Sequence, residues 1–135
     1  MQQTYFMIKP EIVGADEPKV GAILAMVEAD GFRIRKLELR ELDRTLVEDF
    51  YGEHHGKPFY DSLVDYITSG PVVCVQLERE DAVARLRQLI GATDPAEADE
   101  GTIRARHGTS KGQNAVHASA NPEDAARELA LVFGA

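Results

Sequence analysis

The chain carries a single cysteine, Cys74, so an intrachain disulfide is impossible, and its setting in the apolar run Val72, Val73, Cys74, Val75 reads as a buried structural thiol. No stretch approaches the roughly 20 apolar residues that a membrane span needs. Met1, Gln2 and Gln3 lead directly into strand-like sequence, with no basic region and no apolar leader, so a cytoplasmic location without membrane contact is expected. Positive charge is in deficit. The net charge of -8 argues against a nucleic-acid partner, because non-specific binding to phosphates needs a basic surface. The phosphate loop is missing as well: residues 52–58 end in Gly56, Lys57 and Pro58, with the wrong spacing and no Ser or Thr after the lysine, and no G-x-G-x-x-G occurs. His54 and His55 lack the spaced partners of a zinc site and read as a solvated turn.

What is present is an ordinary globular composition, 44% hydrophobic and 28% charged over 135 residues. That length fits one domain over residues 1–135, since domains most often run to ~100–150 residues. Residues 4–8 form a β-branched and aromatic run stopped by Pro10, a first strand. Val20, Ile23, Leu24 and Val27 recur at helical spacing, with Gly31 as the cap beyond the helix. Residues 32–42 alternate imperfectly, which predicts a half-exposed strand with a bulge. Asp43 or Thr45 can cap a short helix through Phe50 and Tyr51. Pro58 suits the first turn of a helix that buries Leu63, Val64 and Ile67 and ends at Gly70.

Residues 71–77 are apolar without alternation, the pattern of a central strand. Val83, Leu86 and Ile90 mark one stripe of a helix closed by Gly91. Residues 114–118 predict a fourth strand, and Asn121 with Pro122 an N-cap and first position of the last helix. Residues 92–113 show no periodicity and read as a long functional connection. The order of elements predicts an α+β sandwich of the split βαβ type.

The later part of that connection lies in a segment between Gly101 and Pro122 with no Asp or Glu, while Arg104, Arg106 and Lys111 add positive charge ahead of His117. A mostly acidic chain with one acid-free segment points to an anion there. Without a phosphate loop, polyphosphate can be held by separate cations and hydroxyls: Lys9 at the end of the first strand, Arg87 on a helix, Thr93 beyond its cap, Arg104 in the connection. A free imidazole titrates near ~6.5 and can attack phosphorus without a second base, giving a covalent intermediate and ping-pong transfer. Glu128 falls beside the inward stripe Ala125, Leu129, Val132 of the last helix, where a carboxylate needs a partner. The turn at Asn121 and Pro122 allows it to accept from one ring nitrogen of His117 and leave the other free.

Six motifs then coincide: Met7-Ile8-Lys9-Pro10, Gly56-Lys57-Pro58-Phe59, Thr68-Ser69-Gly70-Pro71-Val72-Val73, Gly91-Ala92-Thr93-Asp94-Pro95, Gly101-Thr102-Ile103-Arg104 and Asn114-Ala115-Val116-His117. In order and spacing the chain resembles the nucleoside diphosphate kinases over almost its whole length. The resemblance implies a ferredoxin-like βαββαβ core with a four-stranded antiparallel sheet, a homo-oligomer, tetramer or hexamer, and transfer of the γ-phosphate of a nucleoside triphosphate to a diphosphate. His117 matches the phosphorylated histidine of that family. Lys9, Tyr51, Arg87, Thr93, Arg104 and Asn114 match groups that hold phosphates or sugar or adjoin the histidine, and Ser119 and Glu128 match its supports. Phe59 matches the aromatic on which the base stacks, with Leu63 beside it, a contact open to every base because each has a π-face. Magnesium is implied as a cofactor carried by the nucleotide phosphates, with no protein ligand.

The chain departs from the family pattern at Glu11-Ile12, where Asp-Gly is usual, at Ala105-Arg106-His107 and at Gln113. It also departs at Ala118 and Ala120, where Gly and Asp are usual after the histidine. Those two alanines are the basis of a second reading, a nucleotide-binding regulatory module that does not turn over. The nucleophile and the matched phosphate ligands are all retained, which favours the enzyme.

Overall fold

The computed structural model describes residues 1–134. Four strands form one antiparallel sheet in the order β2-β3-β1-β4, with β1 at Gln2–Ile8, β2 at Arg33–Arg40, β3 at Val72–Arg79 and β4 at Val116–Ala118. Helices α1 (Pro10–Val13), α2 (Val20–Ala29), α3 (Arg44–Phe50), α4 (Tyr60–Ile67), α5 (Ala82–Ile90), α6 (Ile103–His107) and α7 (Pro122–Phe133) complete the ferredoxin-like α+β arrangement. The apolar run in β3 has the cause expected for it. As an inner strand, β3 alternates Val73, Val75 and Leu77 into one core with Val72 and Cys74 into the other.

The first core packs α2 and α5 through Ile23, Val27, Leu86 and Ile90. The second packs α3, α4 and α7 through Val47, Phe50, Val64, Ile67, Leu129 and Val132. Strand periodicity decides which face receives the histidine. Val116 and Ala118 belong to the first core, so His117 between them projects to the opposite face, under α3 and α7.

Several expectations need correction. Pro10 does not simply stop β1; it occupies the first turn of α1, where its missing N–H is no loss. Helix α4 starts at Tyr60 with Phe59 as its N-cap, so Pro58 precedes the helix rather than opening it. The long connection contains a 3-10 turn at Pro95–Glu97, capped by Asp94, and α6, capped by Thr102, whose side chain accepts from Ala105 N–H. Both are too short to leave a periodic signal. Strand β4 begins two residues later than expected because Ala115 adopts φ 76°, a left-handed conformation costing a non-glycine residue ~1–2 kcal/mol. The bulge in β2 lies between Ile34 and Lys36, and the strand is more exposed than predicted, with Leu39 67% accessible.

Gly91 requires its lack of a side chain. It closes α5 at φ 88°, and a Cβ there would stand 2.6 Å from Thr102 Oγ1. The start of α6 therefore rests directly on the end of α5.

Candidate active site

Ala115 C=O accepts from Lys9 N–H at 2.9 Å and Ser119 N–H donates to Tyr5 C=O at 3.3 Å, so the odd-numbered residues of this segment face β1. The carbonyls of Val116 and Ala118 consequently point outward along the edge of the sheet. Arg104 takes the first, its Nη2 donating to Val116 O at 3.0 Å, and Arg87 reaches the second, Nη1 donating to Ala118 O at 3.4 Å. The two guanidiniums thus bracket His117 from the edge. Arg104 is only 6% exposed; its Nη1 also donates to Gly91 O at 3.2 Å, while its Nε has no partner among the described residues. Burial, then the charge of Arg87, lower its pKa to about 10.

On the other face His117 Nε2 lies 2.9 Å from Glu128 Oε1, and Ser119 Oγ donates to the same oxygen at 2.7 Å. Glu128 is buried at 4% exposure. It falls on the inner side of α7 with Ala125, Leu129 and Val132, as the stripe indicated. A buried carboxylate that accepts from Ser119 also needs a proton on Nε2, which fixes the tautomer and leaves the Nδ1 lone pair available. Phe50 and Tyr51 pack edge-on to the imidazole, with centroids at 5.1 and 6.2 Å. Tyr51 is buried, and that burial, reinforced by Glu128, holds its hydroxyl protonated well above the ordinary tyrosine range.

His117 opens into a cavity of about 790 Å³ shared with Lys9, Tyr51, Phe59, Leu63, Thr93 and Asn114. Ser62, Tyr66, Lys111, Gly112 and Gln113 complete its lining, which includes no Asp or Glu. Lys9 is 7% exposed, and its Nζ donates to Asn114 Oδ1 at 2.7 Å; Asn114 Nδ2 in turn donates to Thr93 O at 3.0 Å. Burial, then the neighbouring Arg104, bring the Lys9 pKa down to about 8, against an opposing pull from Glu11. Phe59 is half-exposed at the mouth. The cavity therefore has an aromatic entrance, a cationic floor and a histidine whose free nitrogen can serve as nucleophile.

Of the residues singled out from sequence, Lys9, Tyr51, Phe59, Leu63, Thr93, Asn114 and His117 line one cavity, with Ser119 and Glu128 behind the imidazole. Arg87 and Arg104 do not line it. Arg87 borders an adjoining cavity of about 500 Å³ that shares Thr93, and Arg104 is packed beneath β4. Sequence reasoning missed Ser62 and Tyr66, and it named Lys111 only as one of the cations of the acid-free segment. Phe59, Ser62, Leu63 and Tyr66 follow i, i+3, i+4, i+7 spacing, a helical face beside the core stripe Tyr60, Val64, Ile67, and that pattern could have located them. Ala118 is buried in the first core, on the face of the sheet opposite His117, and Ala120 is exposed.

Residues 2–135 match the sequence model of the family described as nucleoside diphosphate kinase. The chain is 47% identical to a protein of that name from Pelotomaculum thermopropionicum over 135 residues, all of this chain and 89% of the relative. The nucleoside diphosphate kinase of Aquifex aeolicus superposes with a TM-score of 0.93 at 38% identity, covering 98% of this chain and 94% of the other. A halophilic nucleoside diphosphate kinase from Halobacterium salinarum, solved in complex with CDP, superposes with a TM-score of 0.92 at 39% identity, covering 99% and 88%.

Proposed function

The chain belongs to the nucleoside diphosphate kinase family, and from that premise we propose that it moves the γ-phosphoryl group of a nucleoside triphosphate, typically ATP, to a nucleoside diphosphate through a phosphohistidine at His117. The observation that carries this reading is the imidazole held at Nε2 by buried Glu128, with Nδ1 unpartnered among the described residues at the head of a cavity lined by no Asp or Glu among them.

The triphosphate enters with its base against Phe59 and Leu63 and its phosphates toward Lys9, Thr93 and Asn114. Nδ1 attacks the γ-phosphorus; the N–P bond forms as the bond to the β,γ-bridging oxygen breaks, and its electron pair leaves with the diphosphate. Positive charge that develops on the ring is stabilised by Glu128, which Ser119 holds in place. Lys9 offsets negative charge on the transferring group, and the Tyr51 hydroxyl is kept a donor. Arg87, exposed and held among the described residues only by its 3.4 Å contact, is free to turn toward phosphate, while Arg104 steadies the strand from behind. A diphosphate then binds in the vacated place, its terminal oxygen attacks phosphorus, and the N–P electron pair returns to Nδ1.

Among the described residues no group of three or more His, Cys, Asp or Glu gathers to hold a metal ion. Magnesium would ride on the nucleotide phosphates and neutralise part of their charge. A cytoplasmic site of action is part of the same proposal; among the described residues no helix is long and apolar enough to cross a membrane. Exposed Leu37 and Leu39 on edge strand β2 support assembly into a homo-oligomer. The test is direct. Incubation with γ-labelled ATP and magnesium should give acid-labile label that GDP discharges, and His117→Ala should abolish both while preserving the fold; full transfer by that variant would overturn the mechanism.

A further inference from the structure

Ala115, held at φ 76°, separates Asn114 from β4, and both ends of its backbone are gripped. Its C=O accepts from Lys9 N–H at 2.9 Å, and its N–H donates to Glu11 Oε2 at 3.0 Å. The other carboxylate oxygen of Glu11 accepts from the Tyr66 hydroxyl. That hydroxyl also accepts from the Glu11 backbone N–H at 3.1 Å, so the side chain and backbone of Glu11 are fastened to one phenol. Glu11 belongs to the first turn of α1 and Tyr66 to α4, so three separated segments meet at this carboxylate.

We propose that Glu11, anchored by Tyr66, is a positioning residue of the transfer site: it holds the Ala115 peptide in its left-handed conformation and thereby sets where Asn114 presents Lys9 to the terminal phosphate. This rests on the phosphotransfer reading above. The connection is continuous, from the Tyr66 hydroxyl through Glu11 to Ala115 N–H, and from Asn114 to Lys9 Nζ at 2.7 Å and Thr93 O at 3.0 Å. Neither anchor acts on phosphorus. Without the carboxylate, Ala115 loses the partner that offsets its conformation, and the residue next to it carries the lysine contact.

An electrostatic consequence follows. The groups around Lys9 are Arg104 from α6, Glu11 from α1 and, across the cavity, Tyr51, Tyr66, Lys111 and His117. Glu11 supplies the negative charge that opposes burial and Arg104 in setting the Lys9 pKa at about 8. Removing that charge makes the ammonium less favourable, so the cation is lost at lower pH.

Three variants separate the effects. Glu11→Gln keeps shape and one acceptor oxygen but drops the charge, Tyr66→Phe removes only the hydroxyl anchor, and Glu11→Ala removes everything. Label formation by the unsubstituted chain tests the parent reading. Exchange of the Ala115 amide and a pH titration of the Lys9 ε-methylene resonance test this one without turnover. Expected results are Ala115 exchange faster by roughly tenfold or more in Glu11→Ala and Tyr66→Phe, the scale of one lost hydrogen bond to a charged group. The Lys9 midpoint should fall in Glu11→Gln, the alkaline limb of kcat/KM should move with it, and kcat should recover in Glu11→Gln relative to Glu11→Ala. Ala115 exchange unchanged in Tyr66→Phe, or a Lys9 midpoint unchanged in Glu11→Gln, would overturn the proposal, as would equal kcat in the Gln and Ala variants.

Discussion

Replacing Glu128 by Gln removes a charge while keeping the shape of the group behind the imidazole. Its Oε1 accepts from His117 Nε2 at 2.9 Å and from Ser119 Oγ at 2.7 Å, and at 4% exposure no bulk water can substitute. An amide oxygen can still accept both, so the fold and the ring orientation should survive. What changes is the response to charge: bonding of Nδ1 to phosphorus makes the ring cationic, and the neutral amide stabilises that cation less. A hydrogen bond to a charged group contributes ~1.5–3 kcal/mol and a neutral one ~0.5–1.5. The difference, ~1–1.5 kcal/mol, corresponds to roughly a 5- to 15-fold slower transfer at ~1.36 kcal/mol per tenfold. Rapid-quench measurement of phosphoenzyme formation at saturating γ-labelled ATP isolates that step from product release. Nucleotide affinity should be little altered, because Glu128 does not line the cavity. Labelling at the wild-type rate, or a loss confined to affinity, would refute the assignment of Glu128 to the reacting ring.

Lys9 gives the pH dependence. Its pKa of about 8 in the free protein means that the cation proposed to hold phosphate is present below that pH and lost above it, so kcat/KM should fall through an alkaline limb near pH 8. Bound phosphate favours the cation, so the limb in kcat should lie at higher pH, and identical limbs in both profiles would contradict this account. Phe59→Ala should raise KM for ADP roughly 5- to 160-fold, from ~1–3 kcal/mol of stacking per base, with a much smaller change in kcat at saturation; initial-rate kinetics with ADP, GDP and CDP would check it. Gly91→Ala should lose roughly 1–3 kcal/mol in urea denaturation, because the position combines φ 88° with a Cβ 2.6 Å from Thr102 Oγ1.

The contact between His117 and Glu128 was legible because its signals are local and periodic. The stripe Ala125, Leu129, Val132 placed Glu128 on the covered face of α7, and the short turn after β4 kept it near His117. The apolar run in β3 likewise announced a central strand. Other features depend on contacts that no window of sequence contains. Pro10 resembles a strand stop until the next turn is seen to close on Lys9 C=O, to which Ile12 N–H donates at 3.1 Å. Helix α6 spans five residues and exists because Thr102 caps it and Gly91 receives it, neither of which leaves a repeat. The grip of Glu11 on Ala115 joins residues 104 apart, so the left-handed turn that delays β4 had no local cause to read. Arg104 read as a free cation of an open connection, whereas its burial follows from the outward carbonyl of Val116 at the edge of the sheet.

The most direct measurement is nuclear magnetic resonance of the chain phosphorylated by ATP, using ¹⁵N-labelled histidine and correlation through the N–P bond to identify the bonded ring nitrogen. The proposed mechanism puts phosphorus on Nδ1 of His117, with Nε2 still protonated toward Glu128. Phosphorus on Nε2, or on any residue other than His117, would contradict it.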